Sequence, residues 1–249
     1  MKVSQILEYF NEIAPFETAE DFDNIGLIVG KKDGAVNKIM FCLDCSDFVI
    51  DEAIEKGCDL IISHHPMIFS PAKKINDDDF ITKKAIKLIE NGISLISMHT
   101  NLDAMENGVC HNLCTVLGLD NIIYNGGCFK ICQSAPISPK ELAQKVKKAL
   151  NLPFIKFVGE SSNCEKIGVC CGSGMSFSEE MISLGVDTII TGDIKYHAFI
   201  ENLERKINLI DCGHFESEII YIEKLKKIID NKFGIDSLIS TKENYFDYI

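Results

Sequence analysis

Histidine, aspartate and glutamate gather in this chain at a few places that share one local grammar. Short apolar runs end in residues able to bind a cation or move a proton. LIIS (60–63) leads into His64-His65, and ISLISM (93–98) leads into His99-Thr100-Asn101-Leu102-Asp103. DTIIT (187–191) leads into Gly192-Asp193-Ile194-Lys195-Tyr196-His197, and INLIDC (207–212) into Gly213-His214-Phe215-Glu216-Ser217-Glu218. Five of the six histidines stand at these ends; His111 lies inside a helical pattern and reads as a surface or helix-face residue.

Each motif alone has an ordinary reading. A His-His pair can be one packed ring and one solvated ring. Asn-x-Asp is commonly a turn or helix cap, and Asp193-x-Lys195 can be an ion pair or cap. His214 and Glu218 are four residues apart, so a helix would put them on one face as a surface pair or as two metal ligands. Their joint occurrence is what points to chemistry. Imidazoles and carboxylates on one rim match zinc, manganese, iron, cobalt or nickel. Three histidines and two carboxylates exceed the need of one tetrahedral zinc. Two divalent ions, about 3.5–4 Å apart and bridged by a carboxylate, use that supply better.

The elements that must position these residues alternate β and α. KIMFCLDCS (38–46), DLIISHH (59–65) and ISLISMHT (93–100) read as strands. Between and after them lie helices at 47–57, 79–92 and 108–119, the first two stopped by glycine. The second half repeats the pattern. Strands are expected at 128–136, 166–174, 187–193 and 207–213, with helices at 138–151, near 176–185, near 195–206 and at 215–232. Ser138-Pro139 with Glu141 is a capping-box signature. Continuous apolar strands alternating with helices predict a mostly parallel α/β fold in three α/β/α layers. Ligands in such folds bind at the carboxyl ends of the strands. The Gly26…Gly30 stretch has the wrong spacing for a phosphate loop and reads as a β-hairpin.

Residues 38–63 align with 166–191 at a constant offset of 128, with nine of twenty-six positions identical. Chance gives on the order of two. ISLI (93–96) pairs likewise with INLI (207–210). The expectation is two related βαβ halves, 1–127 and 128–249, sharing one metal site at their strand ends. The C-terminal helix is available to pack back on the first half. His64-His65 then corresponds to Gly192-Asp193.

Composition bounds the partners. With 25 basic and 37 acidic residues the formal net charge is −12, which argues against nucleic acid as the main partner. The N-terminal sequence lacks a signal-peptide pattern, and no apolar run reaches the ~18 residues of a membrane span. A cytoplasmic protein is expected. Its eleven cysteines then read as reduced, buried thiols, with Cys42-x-x-Cys45 a strand residue and a loop residue.

These motifs resemble those of the Nif-three-like dinuclear-metal family, whose bacterial members are often labelled GTP cyclohydrolase I type 2 homologues. Five ordered motifs carry the resemblance: 23–30 (DNIGLIVG), 63–69 (SHHPMIF), 99–103 (HTNLD), 192–197 (GDIKYH) and 211–218 (DCGHFESE). Phe22 stands where the family commonly has tryptophan, and Phe215 where it has tyrosine. The larger insertion of some members is missing here. The resemblance implies that His64, His65, Asp103, His214 and Glu218 hold two divalent metals, with Glu218 as the bridge. It places His99, Lys195 and His197 in the second shell or facing substrate. It also implies a homohexamer built as a trimer of dimers. Because a dinuclear site makes bound water acidic and polarises the atom it attacks, a hydrolase is expected. Purine ring opening in GTP, or attack on another nucleotide or phosphoester, are the candidate reactions. The alternative is a non-catalytic regulatory or scaffold protein whose metals are structural.

Overall fold

Apolar stretches with no polar alternation can be strands only where both faces are covered. Residues 60–63, 94–97, 188–191 and 208–211 meet that condition, being strands in which every residue is buried. The computed structural model describes residues 1–159, 163–243 and 245–246. In chain order its elements begin with α1 (Val3–Ile13), β1 (Gly26–Val29), β2 (Lys38–Cys42), α2 (Asp47–Glu55), β3 (Leu60–Ser63) and α3 (Phe80–Glu90). There follow β4 (Ser94–Ser97), α4 (Thr100–Ala104), α5 (Val109–Val116), β5 (Ile122–Asn125), β6 (Phe129–Ile137) and α6 (Pro139–Ala149). Then come β7 (Lys156–Val158), β8 (Cys164–Cys170), α7 (Ser178–Ser183), β9 (Thr188–Thr191) and α8 (Tyr196–Glu204). The last are β10 (Asn208–Asp211), α9 (His214–Phe233) and β11 (Asp236–Ile239).

The chain divides into two compact units, Met1–Leu102 with Ile222–Ile249, and Asp103–Tyr221. The division differs from the expected boundary at 127/128. β5 pairs with β6, which draws residues 103–127 into the second unit, and β11 pairs with β2, which draws the C-terminal segment into the first. The first unit holds a five-stranded sheet in the order β1-β4-β3-β2-β11. Its strands are parallel except β1, which runs antiparallel to β4. The GLIV stretch is therefore an edge strand rather than a hairpin arm: its ladder partner, β4, lies some seventy residues away.

The second unit holds a six-stranded sheet in the order β5-β6-β8-β9-β10-β7. Its centre, β8-β9-β10, is parallel, while β5, β6 and β7 join antiparallel. The turn between β5 and β6 is too short for a parallel crossover, which needs a dozen or more residues. The α/β class is as expected, with more antiparallel pairing at the flanks of this sheet.

The repeat read from the sequence is present in the backbone of both units. Ile39 pairs with Leu60 in one sheet, and Ile167 pairs with Thr188 in the other, the same register shifted by 128. Leu60 pairs with Ser94, and Thr188 with Asn208. The identical aspartates explain part of this. Asp59 Oδ2 accepts from the Asn37 and Lys38 amides at 2.7 and 3.1 Å; Asp187 Oδ2 accepts from Glu165 and Lys166 at 3.0 and 2.8 Å. Each holds the amino-terminal part of its neighbouring parallel strand. Cores form separately. Met40, Val49, Ile50, Ile61, Leu88 and Leu95 belong to one cluster, and Phe129, Ile131, Met181, Ile189 and Leu209 to the other. Among the described residues no helix is long and apolar enough to cross a membrane.

Candidate metal centre

In the first unit the carboxyl ends of β3 and β4 bring three imidazoles together. The chain turns as it leaves β3: the His64 and His65 amides donate to the Cys42 and Leu43 carbonyls at 3.2 and 2.9 Å. Ser63 Oγ caps the turn by donating to the His65 carbonyl at 2.8 Å. Side chains that would alternate in a strand thus converge. Ring centroids lie 5.1 Å apart for His64 and His65, 5.2 Å for His64 and His99, and 5.6 Å for His65 and His99. One nitrogen from each ring lies within 4.8 Å of the others, close enough to share an ion.

Each ring is held through Nδ1. His64 Nδ1 meets the Met98 carbonyl at 2.8 Å, His65 Nδ1 meets Asp44 Oδ1 at 2.9 Å, and His99 Nδ1 meets Asp23 Oδ1 at 2.9 Å. A carbonyl or carboxylate oxygen can only accept, so Nδ1 carries the proton and Nε2 is the nitrogen able to coordinate or exchange one. Asp23 Oδ2 also accepts from the Thr100 amide and hydroxyl, at 3.0 and 2.5 Å. Burial works to raise the Asp23 pKa, yet the hydrogen bonds from His99 and Thr100 outweigh it and hold the carboxyl at about 2. Glu243 sits behind His65: its Oε1 accepts from the Leu43 and Asp44 amides, both at 2.7 Å. Burial pushes its carboxyl up to about 7 against the pull of those two bonds.

In the second unit the ends of β8, β9 and β10 converge in the same way. α9 begins at His214, so His214 and Glu218 occupy adjacent turns of one face, with His214 Nε2 3.2 Å from Glu218 Oε2. His214 Nδ1 is held by Asp193 Oδ2 at 2.7 Å, which repeats the arrangement of the first unit's histidines. Asp193 has a φ of 54°, a left-handed conformation costly for most side chains, and the turn aims its carboxylate at His214. Gly172, with a φ of 57°, lies directly against this pair: a Cβ there would collide with the Glu218 carboxylate. Its amide donates to Ser217 Oγ at 3.0 Å, and Ser217 Oγ donates to the His214 carbonyl at 2.7 Å. Asp103, buried near the end of α4, accepts from the Cys171 thiol at 3.3 Å. The hydrogen bond with Cys110 is the largest influence raising the Cys171 thiol well above its usual pKa, ahead of burial and the Asp103 charge.

The family model described as Duf34/NIF3 (NGG1p interacting factor 3) matches residues 1–244. The chain belongs to the DUF34/NIF3 family. One curated relative, the GTP cyclohydrolase 1 type 2 homolog of Clostridium acetobutylicum, is 36% identical over 262 residues, covering 99% of this chain and 97% of its own. A Staphylococcus aureus hypothetical protein of known crystal structure has a TM-score of 0.89 at 31% identity, covering 100% of this chain and 99% of its own. Reduced HcgD from Methanocaldococcus jannaschii has a TM-score of 0.85 at 29% identity, covering 96% and 97%.

In this NIF3-family chain the residues singled out by sequence fall into distinct settings. His64, His65 and His99 form one group, so His99 stands beside the two adjacent histidines as an equal member. His214 and Glu218 form a contact pair. Lys195 and His197 flank the start of α8, exposed; among the described residues neither side chain makes a hydrogen bond or ion pair, and the His197 ring lies 5.3 Å from that of Tyr196. His111 is half-buried on α5. All eleven cysteines are buried and unbridged. Sequence reasoning missed Asp44 and Glu243. Asp44 carried a faint signal, a lone carboxylate just past β2, whereas Glu243 lies some two hundred residues from its partners and carried none.

Proposed function

We propose that this protein binds two divalent metal ions through His64, His65, Asp103, His214 and Glu218 and hydrolyses a nucleotide or another phosphoester. The observation that carries this reading is the anchoring of four imidazoles by Nδ1, three of them through carboxylates. Metal-ligating histidines are characteristically held in this way, because the outer partner fixes the tautomer and makes the ligating nitrogen more basic. The donor set also fits. Imidazole with carboxylate suits zinc, manganese, iron, cobalt or nickel better than soft monovalent or all-oxygen ions. When bound, such an ion pair supplies an activated water and polarises the bond to be cleaved.

The chain's own residues do the rest. His99, with Nδ1 committed to Asp23, offers Nε2 to receive or return a proton, and the strongly acidic Asp23 keeps the ring oriented through that exchange. Lys195 and His197, exposed where α8 begins, are placed to face the substrate or to stand behind the metal ligands. The names of the curated relatives make GTP the first substrate to try. A homohexamer is the expected assembly, and light scattering checks it.

The test combines elemental analysis with turnover assays on GTP and bis(p-nitrophenyl) phosphate. Wild type is expected to carry about two ions per chain and to show metal-dependent turnover, and His64→Ala to lose both. Retention of both metals by His64→Ala would refute the ligand assignment. A metal-replete wild type with no turnover of either substrate would refute the hydrolase and favour a structural role for the metals.

A further inference from the structure

Beside the histidine group of the first unit, two phenylalanines face solvent. Phe22 is 59% exposed and Phe69 51%, and their ring centroids lie 6.1 Å apart at a tilt of 43°. Exposed apolar side chains are ordinary singly, but adjoining ones form a patch of the kind that ligands cover. Neither ring sits on a loose loop. Phe22 precedes Asp23, whose carboxylate is fixed by His99 and Thr100. Phe69 follows Ile68, whose carbonyl accepts from Asn24 Nδ2 at 2.6 Å. The two loops are thus tied to each other and to the candidate proton-transfer histidine, and the aromatic pair is held in place.

A cavity of about 700 Å³ opens from Phe69, with Met67, Lys73, Lys74 and Ile81 among its lining residues. That is the size of pocket that takes a nucleotide-sized ligand. Its lining also carries two carboxylates: Asp78 accepts from Asn76 Nδ2, and Asp79 accepts from the Ile81 and Thr82 amides as the cap of α3. Lys73 and Lys74 make no ion pair among the described residues. Phe69, Lys73 and Lys74 thus line one cavity, and Phe22 lies against Phe69.

We propose that Phe22 and Phe69 stack the planar ring of the substrate's base, and that Lys73 and Lys74 receive its phosphate. The inference rests on the hydrolase reading above and adds to it the place where the substrate binds. Stacking on an aromatic side chain is tolerant of base identity and depends on the ring face, so purine nucleotides as a class fit the platform.

The test is calorimetric titration of the metal-loaded protein with GTP, guanosine and inorganic triphosphate, with metal content measured in parallel. Phe22→Ala and Phe69→Ala are each expected to weaken GTP about tenfold or more, leaving triphosphate binding, metal content and unfolding temperature unchanged. Phe69→Trp restores GTP affinity. Lys73→Ala with Lys74→Ala weakens GTP and triphosphate together and spares guanosine. Equal GTP affinity in wild type and both alanine variants overturns the proposal. So does a wild type that binds GTP no tighter than triphosphate, or a Phe22→Ala that changes only the oligomeric state. Turnover of bis(p-nitrophenyl) phosphate separates the two readings: if it persists while the stacking preference is missing, the platform fails and the hydrolase stands.

Discussion

Replacing Asp193 by glycine separates the energetics of folding from those of the metal centre. Asp193 has a φ of 54°, so its side chain pays a left-handed penalty of on the order of 1 kcal/mol that glycine would not. Against that relief stands the greater backbone entropy glycine loses on folding, about 0.5–1 kcal/mol. The carboxylate's ion pair with His214 joins two side chains that are 59% and 33% exposed, so it contributes at most about 1 kcal/mol to stability. These terms nearly cancel, and Asp193→Gly is expected to unfold within a few degrees of wild type in the presence of a chelator. The effect on metal is different. Without Asp193 the His214 ring loses the partner that fixes its tautomer and raises the basicity of Nε2, a loss typically worth 10- to 100-fold in affinity. Competition between the protein and a chromogenic zinc chelator measures it. Asp193→Asn keeps the backbone tolerance and an oxygen that accepts from Nδ1, so it should recover most of the affinity. Zinc affinity in Asp193→Gly within about twofold of wild type would refute the orienting role. A weakening matched by an equal loss of stability would refute it as well.

Glu243 gives a pH test. Its folded pKa, about 7, lies above the ordinary 4.5, so its stabilising contribution holds at low pH and is lost as pH rises through that interval. Glu243→Gln stays neutral and still accepts from the Leu43 and Asp44 amides; it should melt above wild type at pH 8 and level with it near pH 4, and an equal difference at both would disprove the cause. Gly172→Ala places a side chain at φ 57° against the Glu218 carboxylate; it should cost on the order of 1–2 kcal/mol in denaturant unfolding and lower zinc affinity, and an unchanged affinity would show that Glu218 does not need that approach. Thiol titration should find eleven reactive cysteines in the denatured, unoxidised chain and few in the native one, since all are buried.

Much of the site was legible because its donors sit at the ends of short apolar strands. The strand ends His64-His65 and Gly213-His214, and the glycine stops after α2 and α3, follow from neighbours within a few residues. The capping box at Ser138 forms as read, with the Ser138 hydroxyl accepting from the Glu141 amide and the Glu141 carboxylate accepting from the Ser138 amide. The internal repeat was readable for a related reason: Asp59 and Asp187 each do the same work at a local strand junction. Misreadings fell where the partner is remote. GLIV reads as a hairpin because nothing nearby announces β4, and the C-terminal segment joins the first unit because β11 returns to β2 across nearly two hundred residues.

The sequence by itself determined the class of fold, the repeated βαβ units and the residues able to bind metal, because periodicity, glycine stops and donor type are local properties. The tertiary structure decided which nitrogen of each histidine is committed, through Met98, Asp44, Asp23 and Asp193. It also decided that Glu243 is buried beside Asp44 and that Phe22 and Phe69 meet. Those outcomes depend on hydrogen bonds and ring contacts between residues far apart in the chain. Such contacts exist only once loop closure has brought the strand ends together.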